Sequence, residues 1–298
     1  MLTAIWPLFA LICFGGFLAR TGFPSDGFWK GADRINYVIL FPALLVASLA
    51  QAPVTDPNVM QLGAAAIATI LIASVALFLL RHLARIAPSR FGPVLQGAIR
   101  FNTYLGLAVT AVLLGPAGTE RAAIYLAVAV PLVNILSIMA LSQPRHGAAA
   151  VGLLRTVVKN PLVIACLLGL VLALSGVPLP SGVARLLDLL AQASLPLGLL
   201  CVGAALRLSA LPKEALVLGG VAVLRLVLMP VLAAGVAWAC DLGGPEAAVL
   251  VIFSAIPTAP TAYVLTQQMG GDANLMAGIV TLQTLLAFAT LPIVAWLF

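Results

Sequence analysis

The polar residues best suited to chemistry in this sequence lie inside a long apolar stretch, where Arg100, Asn102, Thr103 and Tyr104 stand almost side by side. A charged side chain within a membrane helix is costly and usually serves a partner or a ligand. Guanidinium and amide groups both donate hydrogen bonds and so match the oxygens of a carboxylate. The pattern predicts a binding site for a small anion.

A second apolar stretch carries two prolines three residues apart, Pro257 and Pro260, next to Thr258 and Thr261. Each proline removes a backbone donor, so the helix should be interrupted within about 256–261. Backbone groups freed at membrane depth are tolerated where they line a polar cavity. A helix that restarts there offers free N–H groups and a positive dipole end to an anion. A helix that is only kinked, with Arg100 extended toward the membrane surface or bonded to neighbouring helices, remains the alternative.

Other polar residues inside apolar stretches could supply neutral ligands. Asn36 would face the same cavity if its helix lies beside the one that carries Arg100. Further candidates, for which hydrogen bonding between helices is an equal explanation, are Gln267, Gln268, Thr281, Gln283 and Thr284. We expect Arg225 to extend its guanidinium toward the membrane surface rather than to bind a ligand.

The composition limits the classes of protein to which this chain can belong. Of its 298 residues, 63% are hydrophobic and 8% are charged, against roughly a half and a quarter in soluble domains. A soluble enzyme, a disordered chain, a disulfide-rich secreted domain and a nucleic-acid-binding domain are therefore excluded. No nucleophile has an acid–base partner nearby, and no Cys or His cluster has metal-ligand spacing, so we expect neither an enzyme nor a metalloprotein.

The elements that must position these residues are ten apolar stretches, each close to the roughly 20 residues that a helix needs to cross a bilayer. They lie at 2–20, 33–50, 59–80, 92–114, 121–142, 160–176, 183–206, 214–240, 246–268 and 273–297. The sequence therefore predicts an all-α integral membrane protein with ten transmembrane helices.

Basic residues predict the orientation of these helices, because loops rich in Lys and Arg stay in the cytoplasm. The loops after the odd-numbered helices hold eleven basic residues, Arg20, Lys30, Arg34, Arg81, Arg85, Arg90, Arg145, Arg155, Lys159, Arg207 and Lys213. The even-numbered loops hold only Arg121 and Arg185. We therefore predict a multi-pass protein of the cell membrane (inner or plasma membrane) with both termini outside the cytoplasm.

The two halves of the chain can be aligned with a constant offset of 154 residues. The aligned pairs are Pro7 with Pro161, Gly15 with Gly169, Gly22 with Gly176, and Pro42 with Pro196. Each half holds five predicted helices, an odd number, so the second half must enter the membrane upside down. We therefore predict a 5+5 inverted repeat, residues 1–145 and 155–298, an arrangement typical of secondary transporters whose site lies at the midplane.

Three segments of the sequence resemble the auxin efflux carrier family, which includes bacterial malate and malonate permeases and the plant PIN-type auxin exporters. The segments are Arg100-x-Asn102-x-x-x-Gly106, Pro131-Leu132-Val133-Asn134, and Pro257-Thr258-Ala259-Pro260-Thr261-Ala262-Tyr263 with the following Gly270-Gly271. The chain departs from the family pattern after Gly106, where Leu107-Ala108 stands in place of an expected proline.

The resemblance implies a fold and a set of roles. Helices 4 and 9 would be broken and crossed, helices 1, 2, 6 and 7 would form a scaffold, and helices 3–5 and 8–10 would form a moving transport domain. It also implies export or uptake of small carboxylates, with Asn102 as the main substrate contact and Asn134 as a second one.

We interpret the chain as a secondary transporter of small organic anions, mono- or dicarboxylates, that works by alternating access. The expected partners are the carboxylate and the lipid bilayer, with no nucleic acid and no cofactor; a homodimer and coupling to H+ or Na+ stay open. The candidate binding residues are Arg100, Asn102, Thr103, Tyr104, Pro257, Thr258, Thr261, Asn134, Asn36 and Gln283. A sodium-coupled symporter of the bile-acid transporter type, which shares the ten-helix plan, is the alternative.

Overall fold

Ten helical passes are formed by the residues that the computed structural model describes, 2–52, 56–142, 160–177 and 179–297. The first five are α1 (Leu2–Arg20), α2 (Asp26–Ile35, a π-helical turn at Asn36–Leu40, and Phe41–Ala50), α3 (Pro57–Ala84), α4 in two halves, α4a (Pro88–Ile99) and α4b (103–114), and α5 (116–141). The other five are α6 (Pro161–Ser175), α7 (Ser181–Ala204), α8 (Ala215–Val223, a π-helical turn at Leu224–Leu228, and Met229–Ala239), α9 in two halves, α9a (Gly244–Ala255) and α9b (Thr261–Gln268), and α10 (Ala273–Leu297).

Six helices of the described chain are long and apolar enough to cross a bilayer by length and composition alone. The prediction of an all-α, multi-pass membrane protein is thus confirmed. The apolar stretches predicted some helix starts too late, since α2 begins at Asp26 and α4a at Pro88. The start of α2 is capped by Ser25, whose Oγ accepts a hydrogen bond from the N–H of Phe28 at 3.2 Å. Polar capping turns of this kind lie outside a hydropathy pattern.

Two of the passes are interrupted near their middle. After α4a the backbone turns extended at Arg100 (φ −76°, ψ 150°), and α4b begins at Thr103. After α9a it turns extended at Ile256 (φ −77°, ψ 152°), and α9b begins at Thr261. The interruption predicted within 256–261 is confirmed, and the interruption of α4 forms without a proline.

The half-helix α4b and the helix α5 are separated by a single residue, Gly115. Gly115 has φ 64° and ψ −155°, a backbone conformation that glycine adopts without steric cost. The two helices are therefore joined by a sharp turn and not by a flexible loop.

The helices pack in two groups. In one group, α1 lies along α7, and α2 lies against α6 and α7. Backbone meets backbone between α1 and α7, because a Cβ on Gly203 would stand 1.8 Å from the carbonyl oxygen of Ile12. A Cβ on Gly15 would likewise stand 2.0 Å from the carbonyl oxygen of Leu200. In the other group, α3, α4, α5, α8, α9 and α10 pack around each other.

An aromatic cluster supports the interruption of α4 from behind. The rings of Phe101, Tyr125 and Phe253 have centroids 4.6, 5.4 and 5.5 Å apart, and all three side chains are buried. Phe101 lies in the interruption itself, so the cluster fixes it against α5 and α9a.

Candidate functional site

The interruptions of α4 and α9 meet and are hydrogen-bonded to each other. The backbone N–H of Asn102 donates to the carbonyl oxygen of Pro257 at 2.8 Å. The hydroxyl of Thr258 donates to the carbonyl oxygen of Gly97 at 2.9 Å. Backbone groups released by one interruption are thus paired with the other, as burial requires. We call this meeting point, residues 97–102 and 256–261, the crossing.

Gln283 on α10 binds both sides of the crossing. Its Oε1 accepts a hydrogen bond from the N–H of Thr258 at 2.9 Å, and its Nε2 donates to the carbonyl oxygen of Gly97 at 2.9 Å. Gln283 and Thr258 are both fully buried. Their visible role is therefore to hold the crossing together.

Arg225 lies buried beside the crossing, and the prediction that it extends toward the membrane surface is wrong. Only 1% of the residue is exposed, and its guanidinium donates to the carbonyl oxygens of Ala98, Phe253 and Ile256. The hydropathy pattern located the charge along the chain, but these acceptors belong to other helices and could not be seen from it.

A cavity of about 790 Å³ opens from the crossing. Its wall runs from residues 100–104 and 259–261 to the ends of α1 and α7 and the beginning of α2. Arg20, Lys30 and Arg207 line its outer part and are exposed. The cavity therefore opens on the side of the loops that follow α1 and α7.

The lining of this cavity is basic. Among the described residues its charged side chains are Arg20, Lys30, Arg100 and Arg207 against the single carboxylate of Asp33. A cleft that carries charge of one sign between low-dielectric walls concentrates ions of the opposite sign. The cavity is therefore suited to an anion.

Arg100 stands at the inner end of the cavity and is oriented by two other predicted site residues. Its Nη1 donates to Oδ1 of Asn134 at 3.0 Å, and its Nη2 donates to Oγ1 of Thr261 at 3.3 Å. A guanidinium has five N–H donors in a planar fork, so two contacts orient it and leave other donors for a ligand.

Asn102 also lies on the cavity wall, where it begins α4b. Its Oδ1 caps the helix by accepting a hydrogen bond from the N–H of Leu105 at 3.2 Å. Its Nδ2 is buried and has no hydrogen-bond partner among the described residues. Buried amide donors are nearly always paired, so this one is a candidate donor to a ligand.

Both restarted half-helices begin at the cavity. Thr103 is the first residue of α4b and Thr261 the first of α9b, and both line the wall. The first N–H groups of a helix have no partner within it and carry the positive end of its dipole. Two such ends together with Arg100 form a site that favours negative charge.

Six of the ten predicted binding residues line the cavity, namely Arg100, Asn102, Thr103, Tyr104, Asn134 and Thr261. The other four, Pro257, Thr258, Gln283 and Asn36, are outside its lining. Asn36 is fully buried, and its Oδ1 accepts a hydrogen bond from Ser194 on α7 at 2.9 Å. Beside it, Tyr104 packs so closely on Gly198 of α7 that a Cβ there would stand 2.7 Å from the ring.

Several lining residues were not predicted as part of the site, including Lys30, Asp33, Tyr37 and Arg207. Lys30, Asp33 and Tyr37 follow the i, i+3, i+7 spacing of one helix face, and that signal was available in the sequence. In the sequence, the basic residues among them are explained as loop charges that orient the protein. That these basic residues also line the opening of the cavity depends on how α1, α2 and α7 pack, which the sequence does not reveal.

In the described part of the chain, ten helical passes, two of them interrupted and joined beside a basic cavity, form the architecture of a membrane transporter. The chain belongs to the membrane transport protein family, whose family model matches residues 1–295. This match confirms the resemblance to the auxin efflux carriers and makes the protein a transporter and not an enzyme.

Two relatives extend the comparison. A Rhizobium meliloti protein named "Putative malonate transporter" is 27% identical over 305 residues, which cover 96% of this chain and 92% of the relative. A Methanothermobacter thermautotrophicus protein named "Uncharacterized transporter" is 29% identical over 204 residues, which cover 68% of this chain and 66% of the relative.

Proposed function

We propose that this protein is a secondary transporter that moves small organic anions, mono- or dicarboxylates, across the cell membrane by alternating access. The observation that carries the proposal is the Nδ2 of Asn102, a buried donor beside Arg100 with no partner among the residues described. Leaving such a donor unpaired costs about 1–3 kcal/mol. A carboxylate would accept its hydrogen bond and neutralise Arg100 at the same time.

The relative from Rhizobium supports the choice of a carboxylate. Its name refers to malonate, and it aligns with 96% of this chain. The basic cavity and the two half-helix N-termini are chemically suited to such an anion. A dicarboxylate would accept hydrogen bonds both from the basic side chains and from the backbone N–H groups of the half-helices.

An inverted repeat is part of this proposal, and the two interruptions support it. The halves α4a and α9a are each 12 residues long, and each is followed by an extended residue with almost the same φ and ψ. These extended residues, Arg100 and Ile256, are 156 positions apart, two more than the offset of 154 between the two halves of the sequence. A pseudo-symmetric pair of broken helices at the membrane midplane is the usual plan of a secondary transporter site.

We also propose the division into a scaffold of α1, α2, α6 and α7 and a transport domain of α3–α5 and α8–α10. The two packing groups described above support it. The anion-facing residues Arg100, Asn102, Asn134 and Thr261 all belong to the second group, while α2 and α7 supply the facing wall. Movement of the second group against the first would carry a bound anion from one side of the membrane to the other.

The charge distribution supports an orientation with both termini outside the cytoplasm. The cavity opens beside the loops after α1 and α7, which are among the loops rich in basic residues. With those loops in the cytoplasm, this conformation faces inward.

Flux measurements test the proposal directly. Purified protein in liposomes would be offered radiolabelled mono- and dicarboxylates, beginning with malonate, under a sodium gradient, a proton gradient or neither. We expect uptake of at least one carboxylate, reduced roughly tenfold or more by Asn102→Ala through loss of a charge-assisted hydrogen bond. Asn58→Ala, at an exposed position in the first turn of α3, is the matched control and should transport normally.

Two outcomes would change the interpretation. If no carboxylate entered faster than into protein-free liposomes, the proposed substrate class would be wrong. Uptake that required sodium would instead favour a sodium-coupled symporter of the bile-acid transporter type.

A further inference from the structure

Arg225 occupies a position at which both interrupted helices converge. It lies in the π-helical turn of α8, where the local geometry departs from the regular helix. Its Nε donates to the carbonyl oxygen of Ile256 at 2.7 Å, Nη1 to that of Ala98 at 2.9 Å, and Nη2 to that of Phe253 at 2.5 Å. One side chain thus binds α4a, α9a and the interruption that follows α9a.

Two of these three carbonyl groups are released by the prolines of the crossing. In a continuous helix, each carbonyl oxygen accepts the N–H four residues further on. For Phe253 and Ile256 that residue is Pro257 and Pro260 respectively, and proline has no N–H. Arg225 replaces both missing donors.

The third carbonyl group is released by the crossing itself. Ala98 would normally receive the N–H of Asn102, but that N–H donates to Pro257 on the other interrupted helix. Arg225 donates to Ala98 in its place. The number and position of its contacts therefore match the donors that the crossing lacks.

Carbonyl oxygens at the C-terminal ends of interrupted helices carry the negative end of the helix dipole. In transporters with such helices, these ends and unwound carbonyls are where a coupling sodium ion is coordinated. Here the three carbonyl oxygens already have a cationic partner that is covalently part of the chain.

We propose that Arg225 is the resident cation of the crossing, so that α4 and α9 are held together without an alkali-metal ion at this position. Arg225 is accordingly a positioning residue: it lies outside the cavity lining and acts by fixing the backbone from which Arg100 and Asn102 project.

The test is thermal unfolding of the purified full-length protein in detergent, without substrate. We expect the Tm of the wild type to stay unchanged when NaCl is replaced by choline chloride at equal ionic strength. Arg225→Ala should lower the Tm by roughly 10 °C, because it leaves three buried carbonyl groups without a partner. The Tm of Arg225→Lys should lie between those of the wild type and Arg225→Ala, since an ammonium group keeps the charge but lacks the planar fork.

Arg185→Ala is the matched control, because Arg185 is exposed at the beginning of α7 and should unfold like the wild type. The inference is overturned if Arg225→Ala is as stable as Arg185→Ala, or if sodium stabilises the wild type in a saturable way. If Arg225→Ala does not fold, the Tm of Arg225→Lys and the sodium titration of the wild type still test the proposed role of Arg225. Since no substrate is present, the result is independent of whether the proposed anion transport is correct.

Discussion

Asn102 uses the two polar atoms of its amide for different tasks, and two substitutions can separate them. Its Oδ1 caps α4b, whereas its Nδ2 is the buried donor that has no partner in the described part of the chain. Asn102→Ser keeps an oxygen that can cap the helix but loses the amide donor. Asn102→Ala loses both.

The expected magnitudes follow from these contacts. A hydrogen bond to a charged group contributes about 1.5–3 kcal/mol, which corresponds to roughly ten- to a hundred-fold in affinity. Both variants should lose that much affinity for the proposed carboxylate substrate. Removing an N-cap costs a further ~0.5–2 kcal/mol of stability, and this loss should appear in Asn102→Ala and not in Asn102→Ser.

Isothermal titration calorimetry of the purified variants with a carboxylate from the flux panel measures the first effect, and thermal unfolding without ligand measures the second. Asn58→Ala controls for the loss of an amide elsewhere. If Asn102→Ser bound the anion as tightly as the wild type, Asn102 would be only a helix cap. The substrate contact would then have to lie elsewhere in the cavity.

Three further predictions concern charge, packing and topology. Arg100→Lys should bind the anion nearly as weakly as Arg100→Ala, because Asn134 and Thr261 orient a planar fork that an ammonium group cannot reproduce; calorimetry showing near-normal affinity for the Lys variant would reduce Arg100 to a distant charge. Gly203→Ala should prevent stable folding, since its Cβ would stand 1.8 Å from a backbone oxygen, while Gly235→Ala, with open space around it, should be tolerated; the yield of monodisperse protein on gel filtration compares them. A C-terminal alkaline phosphatase fusion should be active in cells and a cytoplasmic reporter there silent; the reverse would overturn the orientation inferred from loop charge.

The interruption of α9 could be predicted from the sequence because its cause is local. Pro257 and Pro260 lack the N–H groups that a continuous helix would need, whatever the surroundings. The interruption of α4 has no such cause, since residues 100–102 contain no proline. It depends on a tertiary contact, the hydrogen bond from Asn102 to Pro257, and only the repeat and the family resemblance indicated it.

The division of the polar residues into ligand contacts and structural contacts could not be predicted in this way. The sequence suggests Gln283 and Thr258 as ligand contacts, and it suggests that Arg225 extends toward the membrane surface. The position of a polar residue within an apolar stretch does not reveal its hydrogen-bond partners. The acceptors of these three side chains lie on helices that are distant in sequence, as with the carbonyl group of Ala98, 127 positions from Arg225. Arg100 and Asn102 both line the cavity, as expected for polar residues that are neighbours in the chain.

The hydrogen bond between Asn102 and Pro257 has a consequence for how ligands of different length are distinguished. It fixes the gap between the first residues of α4b and α9b, so a bound anion cannot widen that gap without breaking a buried backbone contact. If the proposed anion binds between these two helix ends, the crossing would hold them at a constant separation and would favour anions whose length matches that separation. Because the donors are already in place, little conformational entropy is lost when a fitting anion binds.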